Sequence, residues 1–303
     1  MSGVIVTTTI NPPTTAVRLF DALPDWHLVV IGDRKTPDDY SLDNGTYLGP
    51  DDQEKIDKEL SDLIGWNCIQ RRNFGFLVAA EMGAQTVAVV DDDNIPFEGW
   101  GTDLFVGGSV EANVYSSDLP AFDPVGATNY PQLWHRGYPL QLLPRRDYST
   151  STRQTVAVDV QADFWNGDPD IDAICRMQFA PECTFDDSAF PIAADVVSPF
   201  NSQNTFLAPQ WLKDYFLFPH VGRMDDIWAA YHLQAQGARV VFGKPSVVQE
   251  RNPHDPLVDM KKEYIGYESN LAIVESIKDD PDAVLGFLPM ETVAAFERYQ
   301  THF

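Results

Sequence analysis

Short apolar runs broken by turn residues dominate the first hundred positions, and their spacing predicts alternating strands and helices. Residues 4–10 (VIVTTTI) are rich in β-branched side chains and read as a strand. Asn11-Pro12-Pro13-Thr14 interrupts it, and Pro13 and Thr14 are suited to start a helix running to about Leu23. Residues 27–31 form a second strand ending in Gly32-Asp33, and residues 46–49 a weaker third. A charged helix is expected over 51–64. Another is expected over 66–82, carrying apolar residues at Ile69, Phe74, Leu77, Val78 and Met82 and stopping at Gly83. Residues 86–90 (TVAVV) are β-branched and too short for a stable helix, so they predict a buried strand.

This order, strand–helix–strand–helix–strand, predicts an α/β fold with a mostly parallel sheet flanked by helices. Ligands of such sheets lie beyond the carboxyl ends of the strands, which here are Thr8 to Asn11, Asp33 and Asp91 to Asp93. Positions 100–200 lose the helical period and are rich in Pro, Asp, Asn and aromatics. They read as loops and short strands, supplying a sheet edge and an irregular lid on the acceptor side. Order returns with helices expected over 209–215, 225–236 and 291–299, and a strand over 239–242. No repeat or linker divides the chain. It reads as one catalytic domain over 1–303, with a nucleotide-binding half (1–100) and an acceptor-side half (101–303).

The chemistry begins where the fifth element stops. Asp91, Asp92 and Asp93 crowd three carboxylates at the mouth of a sheet, which is costly unless a cation sits there. Oxygen-only ligands with open positions suit Mg²⁺ or Mn²⁺, which usually also hold substrate phosphates. In an extended segment Asp91 and Asp93 point one way and Asp92 the other, so Asp91 and Asp93 are the expected metal ligands and Asp92 the nucleotide-side one. Gln70-Arg71-Arg72-Asn73 adds donors at a helix start, with Arg72 and Asn73 expected on the nucleotide. The chain has 13 arginines among 303 residues, so an adjacent pair stands out. Asp33 is placed to accept from a nucleobase N–H. Asp225 and Asp226 open a helix, where the dipole favours carboxylates and where one of them can act as general base on an acceptor hydroxyl. Asp226 is the first choice. His254, after Gln249-Glu250-Arg251-Asn252-Pro253, is a candidate for the metal shell or a diphosphate contact, and Lys261 and Lys262 can add positive charge near phosphates.

Composition narrows the partners. The formal net charge of -24 argues against nucleic acid and anionic membranes. Cys68, Cys175 and Cys183 form neither a disulfide framework nor a zinc signature and read as reduced thiols. The first residues lack the basic and apolar regions of a signal peptide, and no apolar run is long enough for a membrane span. A cytoplasmic protein is expected; oligomeric state is not legible.

Several segments resemble the STELLO-type glycosyltransferases: residues 10–14, 30–37, 70–75, 91–96, 199–205, 226–228 and 246–252, in order over about 4–270. More distantly, the Asp triplet, Arg136-Gly137-Tyr138-Pro139, the Asp-Asp-x-Trp element and Lys261-Lys262-Glu263-Tyr264 are similar to the reversibly glycosylated polypeptides, which are UDP-arabinopyranose mutases. The resemblance implies a GT-A-like fold, a nucleoside diphosphate sugar donor (most plausibly UDP-linked), a divalent metal, and transfer of a hexosyl or pentosyl unit to a glycan or other hydroxyl acceptor. The metal stabilises charge on the leaving diphosphate. The resemblance to the mutases makes Arg136 the counterpart of an arginine that takes up sugar reversibly, although Leu140 to Arg146 departs from that family. Unlike the plant STELLO proteins, this chain carries no expected membrane anchor or extra domain. A mutase is the runner-up, and a non-catalytic scaffold keeping the fold is the third reading.

Overall fold

The computed structural model describes residues 3–250 and 255–303. Eleven strands form one sheet: β1 (Gly3–Thr9), β2 (Trp26–Gly32), β3 (Thr46–Leu48), β4 (Thr86–Val90), β5 (Asn94–Pro96), β6 (Ser109–Tyr115), β7 (Ser151–Ala157), β8 (Val160–Gly167), β9 (Ile192–Ala194), β10 (Asn204–Leu207) and β11 (Val240–Gln249). Among the described residues eight α-helices flank it: α1 (Thr15–Asp21), α2 (Pro50–Ile56), α3 (Lys58–Ile64), α4 (Arg72–Glu81), α5 (Ala173–Phe179), α6 (Asp225–Ala235), α7 (Pro256–Ser276) and α8 (Met290–Gln300). The strand order is β3-β2-β1-β4-β10-β8-β11-β9-β6-β7, with β5 paired to β11.

From β3 to β4 every pairing is parallel. β10 then enters antiparallel to both β4 and β8, and β11 runs parallel to β8. The α/β class expected from the sequence is the one found. Val4, Ile5 and Val6 of β1, Val29 to Ile31 of β2 and Val87 to Val90 of β4 are fully buried, as the β-branched runs require. One hydrophobic core runs through both halves, with a small second cluster around Ala112, Val114, Val158, Ala193 and Val241.

Four expectations change. The single helix over 51–64 is two, because the Asp57 backbone is extended and its side chain caps α3 by accepting from Leu60 N at 3.0 Å. The helix over 66–82 begins only at Arg72, after a 3₁₀ turn (Ile69–Arg71). The helix over 209–215 is a single 3₁₀ turn (Pro209–Trp211). The middle of the chain is more than a sheet edge, because β8 lies between β10 and β11.

Asn73 joins two elements. Its amide donates to Leu217 O at 2.9 Å and accepts from Leu217 N at 2.9 Å, pairing a helix side chain with a backbone as a strand neighbour would. It is fully buried. Asn73→Ala leaves both Leu217 groups unpaired, which costs about 1–3 kcal/mol for each buried group. Denaturant unfolding should record that loss, while nucleotide affinity should stay unchanged; an affinity loss without a stability loss would return Asn73 to the ligand.

Candidate active site

A cleft of about 550 Å³ opens at the carboxyl ends of β4 and β11, and Asp91, Asp93, Arg136, Asp225 and Asp226 all line it. Residues expected to do metal chemistry and residues expected to do catalysis, from 43 to 135 positions apart in sequence, thus share one space. The wall is completed by residues 67–70, Ser202, Gln203, His220, Gly222, Arg223, Gln249 and Lys262.

The Asp triplet alternates as its strand-end position requires. Asp91 and Asp93 face the cleft, while Asp92 turns onto the loop after β1. Its Oδ2 accepts from Thr9 Oγ1 at 2.5 Å and Asn11 Nδ2 at 3.1 Å, and its backbone carbonyl accepts from Thr14 Oγ1 at 2.5 Å. Thr14 also caps α1 by accepting from Val17 N. Thr9, Asn11 and Asp92 therefore hold one another, and none of them lines the cleft. Thr8 donates to Ile31 O at 2.7 Å. Asp33 is buried and accepts from Arg34 N at 2.6 Å and Cys68 N at 3.1 Å. Its position fixes the 67–70 segment of the cleft wall rather than exposing its carboxylate.

Arg72 is 1% exposed. Its guanidinium donates to Asp91 Oδ1 at 2.5 Å and to Ser202 O at 2.7 Å, joining the α4 start, the triplet and the loop before β10. Burial raises the Asp91 pKa, and Arg72 opposes the rise. The neighbouring Arg71 packs its guanidinium 3.7 Å from the Trp66 ring and donates to Gln53 and Ser61; it is structural.

Arg136 is the most heavily engaged side chain of the site. Its Nε donates to both oxygens of Asp170 at 3.1 and 3.0 Å, and its Nη2 to Asp170 Oδ2 at 2.7 Å. The Nη atoms also form a fork on Asp226 at 2.9 and 3.1 Å, and Nη1 donates to Arg223 O. Burial alone would lower its pKa, but Asp170 and Asp226 raise it well above the usual arginine value. The backbone here depends on glycine. Gly137 has φ +86°, and a Cβ on it would stand 2.2 Å from Ile227 Cγ2 of α6. Tyr231 of α6 and Asn270 of α7 both donate to the Gly137 carbonyl, at 3.0 and 2.8 Å.

The two carboxylates at the start of α6 diverge. Asp226 is held by Arg136 and also accepts from Ser202 N at 2.9 Å. Asp225 accepts from Gln70 Nε2 at 2.8 Å. Burial, reinforced by the adjacent Asp226 charge, pushes the Asp225 pKa up to about 7, with Arg136 opposing. It is the carboxylate poised to exchange a proton near neutral pH.

His254 lies outside the described residues. Among the described residues no group of three or more His, Cys, Asp or Glu side chains has the arrangement of a metal cage. The donors present still suit a hard cation held partly by substrate: Asp91 and Asp93 reach the cleft, and Asn94 Oδ1 and Gln203 Oε1 beside them are buried oxygens with no donor. Lys262 lines the cleft and Lys261 is an exposed residue of α7. Asp170 and His220 were not singled out from the sequence, and Gln70, Ser202 and Glu263 were named there only within longer motifs. Glu263 accepts from Arg223 Nε at 3.0 Å and from Ala173 N at 2.9 Å.

No protein-family model matches the chain. Two probable glycosyltransferases of Arabidopsis thaliana do: STELLO1, 24% identical over 207 residues, and STELLO2, 23% identical over 220 residues. The matches cover 64% and 66% of this chain but only 26% and 29% of the relatives, so the chain spans little more than a quarter of their length. Solved structures superpose loosely. Glucosyl-3-phosphoglycerate synthase from Mycobacterium tuberculosis, in complex with Mn²⁺, UDP-glucose and phosphoglyceric acid, gives a TM-score of 0.48 at 12% identity over 89% of this chain and 80% of that one. The mannosyltransferase PcManGT from Pyrobaculum calidifontis, in complex with GDP-mannose and Mn²⁺, gives 0.36 at 12% identity over 99% and 75%. The fold is α/β, with a mixed sheet flanked by helices. By sequence the chain is similar to a part of the two STELLO proteins.

Arg136→Met tests the wall. Removing one partner from a buried ion network strands Asp170 and Asp226 and costs about 3–5 kcal/mol. Thermal unfolding should show a large loss that shrinks as pH falls and the stranded carboxylates protonate; a loss independent of pH would contradict this origin.

Proposed function

We propose that this protein is a metal-dependent glycosyltransferase that uses a nucleoside diphosphate sugar, UDP-linked, as donor. The observation that carries the reading is the meeting in one cleft of Asp91 and Asp93 with a carboxylate, Asp225, whose pKa is pushed up to about 7. Asp91 and Asp93 would hold Mn²⁺ or Mg²⁺. A bound ion would supply positive charge to the diphosphate leaving group.

The chain's own residues do the rest. The 67–70 segment, fixed by Asp33, offers backbone and side-chain groups along the cleft for the nucleotide. Arg72 aims Asp91 and opposes the burial that raises its pKa. Arg136 neutralises Asp226 and so leaves Asp225 as the base: its carboxylate takes the proton of the acceptor hydroxyl as that oxygen attacks the sugar. The assignment moves the base from Asp226, the choice from sequence, to its neighbour. The same geometry weighs against a sugar-accepting arginine. Every N–H of the Arg136 guanidinium has a partner and its pKa is raised, so a nucleophilic nitrogen would require breaking two buried ion pairs.

Calorimetry should show UDP binding in the presence of Mn²⁺, abolished by EDTA and by Asp93→Ala. Metal-independent UDP affinity that survives Asp93→Ala would sink the proposal. Asp225→Asn should retain UDP–Mn²⁺ binding and abolish turnover of UDP-glucose or another UDP-sugar. In the parent protein Asp225 is protonated below its pKa and cannot accept a proton, so kcat should rise with pH through about 7. Incubation with radiolabelled UDP-sugar should leave the protein unlabelled; a stable label lost in Arg136→Ala would favour the mutase.

A further inference from the structure

A second cavity, of about 1030 Å³, shares no lining residue with the catalytic cleft. It lies between the 97–105 segment and the strands β8 and β11. Its volume is at the upper end of the roughly 300–1,000 Å³ typical of small-molecule sites. Its floor is a connected polar wall. Asp163 of β8 accepts from Gln161 Nε2 at 2.8 Å, and Gln161 Oε1 in turn accepts from Phe105 N at 2.8 Å. Ser246 of β11 accepts from Asn204 Nδ2 at 2.9 Å, and Asn204 Oδ1 accepts from Trp100 Nε1 at 3.0 Å. Room for the Asp163 carboxylate depends on Gly243, where a Cβ would meet Asp163 Oδ1 at 1.9 Å. β11 shifts register between Gly243 and Val247, beside that carboxylate.

Asp163 is 7% exposed. Burial pushes its pKa up to about 6, opposed by hydrogen bonds from Gln161 and Ser246 and by the charge of Lys244. Such a group gains by accepting hydrogen bonds from a ligand. The mouth carries the ring of Phe97, 38% exposed.

We propose that this cavity binds an uncharged oligosaccharide. The lining charges exclude an anion: Glu98, Asp103, Asp163 and Asp187 face the single cation Lys244. Spermine in the test below separates a cationic ligand from a neutral one. A hydroxyl-rich neutral chain can donate to Asp163 and lay its apolar C–H face on Phe97. The site is also near the chemistry. Ser246 of this cavity and Gln249 of the catalytic cleft are three residues apart on β11, about 10 Å along a strand. The site does not depend on the catalytic reading.

The test uses maltohexaose, cellohexaose and xylohexaose as probes, with spermine as a cationic control. Saturation-transfer NMR and calorimetry are run on the full chain without metal or nucleotide. At least one hexasaccharide should bind. Phe97→Ala and Asp163→Asn should each weaken it by about tenfold or more, the loss of one good contact. Both variants should keep UDP–Mn²⁺ binding within about twofold, which verifies that they fold. Failure of all three sugars to bind, survival of binding in both variants, loss of binding in Asp225→Asn instead, or tighter binding of spermine than of the sugars would each overturn the proposal. Sugar binding with no transferase activity would leave this site standing and remove the catalytic reading; transfer without sugar binding here would do the reverse.

Discussion

A buried guanidinium between two buried carboxylates sets the shape of the cleft. Arg136 comes from an irregular loop, Asp170 from the chain leaving β8, and Asp226 from the first turn of α6. No one of the three is tolerable alone in that interior. Each therefore fixes the other two, and Arg223 extends the network by pairing with Asp170, Asp259 and Glu263, which draws in α7. The arrangement separates two adjacent aspartates that the sequence presents as equals. One is consumed by structure and the other keeps a proton near neutral pH.

The Asp triplet divides its labour in the same manner. Extended geometry sends its middle member away from the cleft, and there it closes the β1 loop onto the end of β4 through Thr9, Asn11 and Thr14. The Asn-Pro-Pro-Thr element is explained by this contact: Thr14 caps a helix and binds the triplet's backbone with one hydroxyl. Both motifs thus belong to one piece of machinery, in which position matters as much as charge.

The strands of the first half were legible because they are buried on both faces and so read as continuous β-branched runs. The twenty-one-residue α7 was not, and the reason is specific. Its inward stripe is Asp259, Glu263, Gly266, Asn270 and Ile273, with helical spacing but almost no apolar members. A polar stripe that buries itself against Arg223, Trp228 and the Gly137 carbonyl is invisible to a hydrophobic period. Likewise β8 carries Gln161 and Asp163 inward and does not look like a central strand. At the site, the sequence revealed which donors and carboxylates existed but not their partners. Asp91, Asp93, Arg136 and Asp225 do meet. Asn73, read as a ligand contact, is held by Leu217, and Asp170, the partner that decides the role of Arg136, sat unnoticed in an acidic loop.

The sheet also dictates an order of assembly. β4 is paired on one side by β1, which is made before it, and on the other by β10, whose residues 204–207 follow it by more than a hundred positions. Until those residues leave the ribosome, a strand of Thr, Val and Ala has an open hydrogen-bonding edge. Closing so long a loop is slow, because chain entropy is lost before the contact repays it. The nascent first half therefore passes through a stage at which it can pair with another chain as readily as with its own, and chaperone demand during synthesis should concentrate there.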